Sequence, residues 1–371
     1  MRDGGVITPA ELGRLIATAR VDSGMSADRL ADAIGVKRSD LAEIEAGERV
    51  ISPAQLVAVT SALGVPVDWF FTESPPAVLS RRRDPAVGGF SRRLDLAVEI
   101  TARNVASLLD RGVLGESARV RRTMPGSLAD AENLARAVRA EIGRPDGPLH
   151  DLQSVAEGLG LLAFSLDLGR DAGDAACVEV GNLGVAVING MVDQGRRRFS
   201  LAHELCHHLV GDAYEPSPRL GGDDTERMVN AFAAHLLMPR SSVLGVWREL
   251  ADRPARRVAV AVAVRFSVSW TAACNQLANL DLIDSRERDR LAQDLLRKGE
   301  LLEFGERYVA ELDPPSVPPG YAASIVTAYR EGMLTPARAV ELLYGTVTEP
   351  DLPEPSPESL DDLRQEFDAD L

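Results

Sequence analysis

Phe199-Ser-Leu-Ala-His203-Glu204-Leu-Cys-His207-His208-Leu-Val210 is the stretch that decides the fold of this 371-residue chain. Its apolar residues, Phe199, Leu201, Leu205, Leu209 and Val210, fall at helical spacing. On such a helix His203 and His207 stand four residues apart, so both imidazoles project from one face and suit a single Zn²⁺. Glu204, one position on, is placed to polarise a metal-bound water without itself ligating the metal. With five histidines in the chain, chance produces H-E-x-x-H on the order of once in a few hundred sequences. His203, His207 and His208 crowd into six positions, which strengthens the metal assignment.

A catalytic zinc takes three protein ligands and leaves one position open. The next helical stretch, Asp224-Thr-Glu-Arg-Met-Val-Asn-Ala-Phe-Ala-Ala-His-Leu-Leu-Met-Pro239, carries Glu226, Asn230, Ala233 and Leu237 along one stripe. That stripe holds a carboxylate, an amide and then a small residue that admits a neighbouring helix. Glu226 is the expected third ligand. Asp223 and Asp224 compete, but they are expected to precede the helix and to cap it. His235 lies about half a turn out of phase with Glu226 and is expected to be structural or on the surface. Cys206 and His208 flank the ligand pair on either side of the first helix.

Around this pair the chain is ordered in blocks. Residues 1–74 show short apolar repeats at helical spacing and end at Ser74-Pro75-Pro76. Residues 75–147 carry 13 arginines against nine acids from residue 77 on and are expected to be a helical connecting region, with helices at Leu94 to Leu109 and Leu128 to Ile142. Residues 148–245 are expected to form the domain that holds the metal. A short helix there leads into three apolar, β-branched runs, Leu161 to Leu166, Ala176 to Val180 and Gly184 to Ile188, which predict a small sheet. Residues 246–312 read as helical, either helix-turn-helix-like or a packing subdomain. Residues 313–345 are expected to form C-terminal helices after a second Pro-rich break, and residues 346–371 an acidic, disordered tail. The fold class expected is α+β and predominantly helical: an all-α domain followed by a domain with a small sheet and an H-E-x-x-H helix, which the resemblances named next make a helix-turn-helix domain and a zincin-like peptidase domain.

Two blocks, Arg198-Phe-Ser-Leu-Ala-His-Glu-Leu-Cys-His207 and Glu226-Arg-Met-Val-Asn-Ala-Phe-Ala-Ala-His-Leu-Leu-Met-Pro239, resemble the two signature blocks of the ImmA/IrrE family of zinc metallopeptidases. The resemblance implies that His203, His207 and Glu226 bind Zn²⁺ and that Glu204 is the catalytic general base toward the attacking water. It also implies a protein substrate: characterised members cut a DNA-bound repressor, in responses such as DNA damage or the transfer of mobile elements. Two departures are visible. Cys206 replaces the small glycine usual before the second histidine, and His235 stands where an acid is common. Asn230 is expected to orient a ligand from the second layer.

Residues 11–71 resemble the XRE/Cro-type helix-turn-helix domain, on Met25-Ser-Ala-Asp-Arg-Leu-Ala-Asp-Ala-Ile-Gly-Val36, Lys37-Arg-Ser-Asp-Leu-Ala-Glu-Ile-Glu-Ala-Gly47 and Leu63-Gly-Val-Pro-Val-Asp-Trp-Phe-Phe71. Gly35 fits the turn, where a positive φ is cheap for glycine. Lys37, Arg38, Ser39 and Asp40, at the start of the presumed recognition helix, are the expected contacts to duplex DNA. Through Phe71, however, seven bases face ten acids, and phosphate contact favours the opposite balance. Docking onto another helix-turn-helix protein therefore stands beside DNA binding.

Composition limits the alternatives. The chain is 45% apolar, which allows a sizeable core and excludes collagen, rod and wholly disordered classes. The longest apolar run, Val258 to Val264, is far short of a bilayer span. The start of the chain does not look like a secretory signal, and three separated cysteines make no disulfide framework, so a cytoplasmic location is expected. Of the net charge of −15, nine acids and one base from Glu349 to Leu371 account for −8. The function expected is a regulatory zinc metalloprotease that cuts a repressor. The alternative is a helix-turn-helix transcription regulator whose peptidase-like domain acts as a sensor or protein-interaction module.

Overall fold

The computed structural model describes residues 7–65, 67–71, 80–81, 92–115, 121–211, 222–294, 296–304 and 311–355. The Ser74-Pro75-Pro76 break and residues 356–371 of the acidic tail lie outside them.

The N-terminal domain is built from α1 (Pro9–Asp22), α2 (Ala27–Ala33), α3 (Arg38–Ala46) and α4 (Pro53–Leu63), with a 3-10 turn at Val67–Phe70. Capping boxes at Thr8/Glu11 and Ser52/Gln55 satisfy the first amides of α1 and α4. Gly35 closes the turn after α2 with φ +70°, as expected. Ile16, Leu30, Leu41, Ile44, Val59, Trp69 and Phe70 form the core of this domain. The pair α2/α3 is the helix-turn-helix.

A two-residue strand β1 (Ser80–Arg81) is followed by α5 (Arg92–Asp110), α6 (Leu128–Glu141) and α7 (Leu152–Gly158). Strands β2 (Leu161–Leu166), β3 (Ala175–Val180) and β4 (Leu183–Asn189) come next, then α8 (Gln194–Val210) and α9 (Gly222–Leu237). The sheet order is β1-β3-β4-β2. β3 and β4 form an antiparallel hairpin with Ala175 opposite Ile188, and β2 runs parallel to β4 with Leu161 opposite Gly184.

Both faces of the sheet are apolar and both are covered by helices. One face, through Leu161, Ala163, Cys177, Ala186 and Ile188, packs on Leu201, Leu205 and Leu209 of α8 and then on α9. The other, through Phe164, Val178, Val185 and Val187, packs on Val98, Ala102 and Val105 of α5 and on the C-terminal helices. Because side chains alternate along a strand, continuous apolar runs are what a sheet buried on both sides requires.

The chain continues through α10 (Arg240–Glu249), α11 (Ala255–Arg265), α12 (Trp270–Asn279), α13 (Ser285–Gln293), α14 (Lys298–Leu302), α15 (Pro319–Arg330) and α16 (Pro336–Leu342). Among the described residues no single helix is long and apolar enough to cross a membrane. Val258 to Val264 is the buried body of α11.

Three block boundaries drawn from sequence differ from the packing. Residues 75–147 do not stand apart as a connector: Ala131, Ala135 and Val138 of α6 belong to the same core as α8 and α9, and α5 covers the sheet. Residues 246–312 do not stand apart either: Val258, Ala261 and Leu277 lie in that same core. The tail is structured at its start, where Val347 and Leu352 pack against the C-terminal helices and a 3-10 turn forms at Glu349–Asp351. The acidic composition masked these two apolar anchors.

Candidate metal centre

Helix α8 is anchored at its N-terminus by charge. Asp193 caps it by accepting from the Arg196 amide. Arg197 donates to Gly190 O and to Asp313, and Arg198 donates to Leu149 O and pairs with Glu311. These bonds tie the start of the helix to both ends of the peptidase unit. Asp174 and Arg196 form a further pair at 2.7 Å. Of these arginines only Arg198 stands in the sequence blocks above, with no part of its own. The signal available was three consecutive arginines opening an otherwise apolar helix.

One turn further on, His203 and His207 are almost wholly buried, and their Nε2 atoms lie 3.1 Å apart. Glu226, from the first turn of α9, brings one carboxylate oxygen to 3.4 Å from His203 Nε2 and the other to 3.6 Å from His207 Nε2. The three residues form a group able to hold a metal ion. Tetrahedral zinc with bonds of about 2.0–2.1 Å sets its ligand atoms roughly 3.4 Å apart. The observed spacings match that size, and two imidazoles with a carboxylate are a donor set suited to zinc.

Asn230, one turn along α9 from Glu226, faces His203 Nδ1 with its side-chain oxygen at 3.2 Å. An oxygen there accepts, so Nδ1 carries the proton and the Nε2 lone pair is left facing His207 and Glu226. Glu204 is fully buried on α8 beside this group.

The flanking residues point elsewhere. His208 sets Nε2 3.2 Å from Leu159 O, and its ring lies so close to β4 that a Cβ on Gly184 would stand 2.5 Å from Nδ1. Cys206 is buried in the main core. His235 stands away from the metal group: Nδ1 lies 3.3 Å from Gln276 Nε2, and Nε2 lies 3.7 Å from Glu132 Oε2. Burial pushes the His235 pKa below the ordinary histidine value, with the Glu132 charge opposing. Asp224 does not precede α9: the helix begins at Gly222, so Asp224 is exposed within its first turn. The Asp223 side chain lies outside the described residues.

In the N-terminal domain Lys37 is the N-cap of α3 and Arg38, Ser39 and Asp40 form its first turn. Arg38 lies 3.3 Å from Asp28, Ser39 Oγ 3.4 Å from an Asp40 oxygen, and Asp40 2.9 Å from Arg49.

The fold and the site together define a helix-turn-helix protein whose second part is a peptidase-type domain carrying a His/His/Glu group able to hold a metal ion. Residues 156–278 match the family described as the IrrE N-terminal-like domain, peptidase M78, a metallopeptidase family. Residues 11–68 match a helix-turn-helix domain. The two occur in the order the resemblance implied, and the peptidase match runs past residue 245 through α10, α11 and most of α12. No curated protein matches the chain.

Proposed function

We propose that this protein is a cytoplasmic, zinc-dependent endopeptidase that cuts a helix-turn-helix repressor and so releases the genes the repressor silences. The observation that carries the proposal is the convergence of His203, His207 and Glu226 at zinc-ligand spacing with a buried glutamate next to the first histidine. Zinc bound there supplies a Lewis acid that polarises a peptide carbonyl and lowers the pKa of water. Asn230 keeps His203 in the ligating tautomer. Glu204 removes the proton from the attacking water and delivers it to the departing amine.

The helix-turn-helix domain brings the peptidase to its target. Three of its five described arginines are paired with acids, Arg38 with Asp28, Arg49 with Asp40 and Arg20 with Glu45, which favours docking on the repressor over strong phosphate binding.

The test is cleavage of a co-encoded helix-turn-helix repressor by wild type and Glu204→Gln side by side, with zinc content measured on both. The variant should keep its zinc and hold the repressor while cutting it about 10²–10⁴-fold more slowly. Equal cleavage by both removes Glu204 from the role of base. Zinc loss in Glu204→Gln would make it a ligand and unseat Glu226.

A further inference from the structure

A cleft of about 1120 Å³ opens beside Glu226 and Asn230 and runs along α9 to His235. Ala231 and Ala234 line it on α9, and Thr271, Asn275, Ala278 and Asn279 line it on α12. Between Asn230 and His235 the α9 side chains Ala231 and Ala234 are small, and α12 presents hydroxyl and amide groups able to bond a peptide backbone. From Glu226 to His235 the helix rises about 13 Å, the length of roughly four extended residues.

The far end of the cleft is fixed by a network from four helices. Glu132 of α6 is paired with Arg240 of α10 through two bonds of 2.7 and 2.9 Å. Gln276 of α12 donates its amide nitrogen to Met238 O at 3.0 Å, which establishes that this atom is the NH₂. The same nitrogen lies 3.3 Å from His235 Nδ1, so Nδ1 accepts. The proton of the neutral ring therefore sits on Nε2. The His235 side chain is nine-tenths buried, and the Glu132 carboxylate lies 3.7 Å from Nε2, beyond hydrogen-bond distance. His235 lines the cleft with an Nε2–H whose direction is fixed by the Nδ1 contact to Gln276 and which Glu132 does not take up at 3.7 Å.

We infer that the α9–α12 cleft is the subsite for the substrate chain on one side of the scissile bond, and that His235 is a specificity-determining residue whose Nε2–H bonds a main-chain carbonyl about four residues from that bond. The substrate segment is an extended, unfolded stretch, held mainly by its backbone. This assignment rests on the peptidase proposal above and adds the length and the anchor of the segment it takes.

A random decapeptide library digested by the zinc-loaded full-length protein, read by mass spectrometry, identifies a cut peptide, which is then resynthesised in series shortened from either end. On one side kcat/KM should rise until about four residues are present and then level off. His235→Phe removes the donor and keeps the ring. It should raise KM for the longest peptide about five- to tenfold and abolish the gain from the fourth residue, and His235→Gln should restore part of it.

Ala278→Trp, which fills the cleft from its accessible wall, should lower kcat/KM of long peptides at least tenfold more than that of short ones. Labelled peptide binding to Glu204→Gln, with and without His235→Phe, gives the same comparison without turnover. A library that wild type cuts with no length dependence, or His235→Phe binding long peptides as Glu204→Gln alone does, overturns the subsite and leaves the peptidase standing. A library cut no more by wild type than by Glu204→Gln fells the peptidase proposal and the subsite with it.

Discussion

His203 is useful to this site because of what stands behind it. Asn230 fixes which nitrogen carries the proton, so Asn230→Ala should weaken zinc retention about 10–100-fold, measured by competition with a chelating dye. Asn230→Asp, which still accepts from Nδ1–H, should recover most of the loss. Arg198 and Glu311 form a second residue-scale constraint, almost fully withdrawn from solvent. Burial lowers the Arg198 pKa and the Glu311 charge opposes that shift. Removing one partner leaves a buried charge, so Arg198→Ala or Glu311→Ala should cost roughly 3–5 kcal/mol in urea denaturation. His235 gives the pH dependence its sign. Its folded pKa lies below the unfolded value of about 6.5, so as the pH falls through 6.5 the unfolded chain takes a proton that the folded chain refuses, and stability drops. The groups facing it, Glu132 and Arg240, stay charged over that range. His235→Phe should flatten the acid side of the stability profile below about pH 6.5.

At the scale of elements, α8 is positioned by a glycine as well as by its arginines. A Cβ on Gly195 would lie 2.2 Å from the Ser269 amide nitrogen, so Gly195→Ala must push α8 away from the turn between α11 and α12. A loss of about 1–3 kcal/mol is expected. Gly245, inside α10, has nothing within 4 Å of the same position, and Gly245→Ala should stabilise by about 0.5–1 kcal/mol. Thermal melts of the two variants should move in opposite directions.

Sequence periodicity was informative for elements of this kind. The strands, the helix of the His203/His207 pair and the helix of Glu226 fall close to where spacing placed them, and the histidine pair itself is a local pattern. What spacing does not carry is long-range contact. Gly195 against Ser269, Arg198 against Glu311 and His235 against Gln276 each join residues tens of positions apart. The same limit explains why α6 and α11 read as separate regions, since an apolar helix face shows that something covers it and not what.

The whole molecule is a helix-turn-helix domain on a three-layer peptidase unit, and α5 belongs to both. Leu96 and Ile100 pack into the N-terminal core, while Val98, Ala102 and Val105 pack on the sheet. Arg103 donates to Trp69 O at 2.8 Å and lies over the Trp69 ring. With the acids of that domain outnumbering its bases and Arg20, Arg38 and Arg49 paired with acids, binding to a duplex should be weak and only shallowly salt-dependent. Fluorescence anisotropy between about 50 and 200 mM salt should show a loss well under the 10³-fold typical of proteins that neutralise six or more phosphates. A steep slope, abolished by Arg38→Ala, would return the recognition helix to the major groove.

The double membership of α5 also sets where the chain tolerates division. A fragment that stops near residue 75 leaves Trp69 and Phe70 without the Leu96 face they pack beside, and a fragment that starts at residue 92 carries Leu96 and Ile100 bare into solvent. Either half produced alone would present a fresh apolar strip and tend to self-associate. Testing the two proposed roles separately therefore calls for point substitutions in the intact chain, not for a scissors cut between its domains.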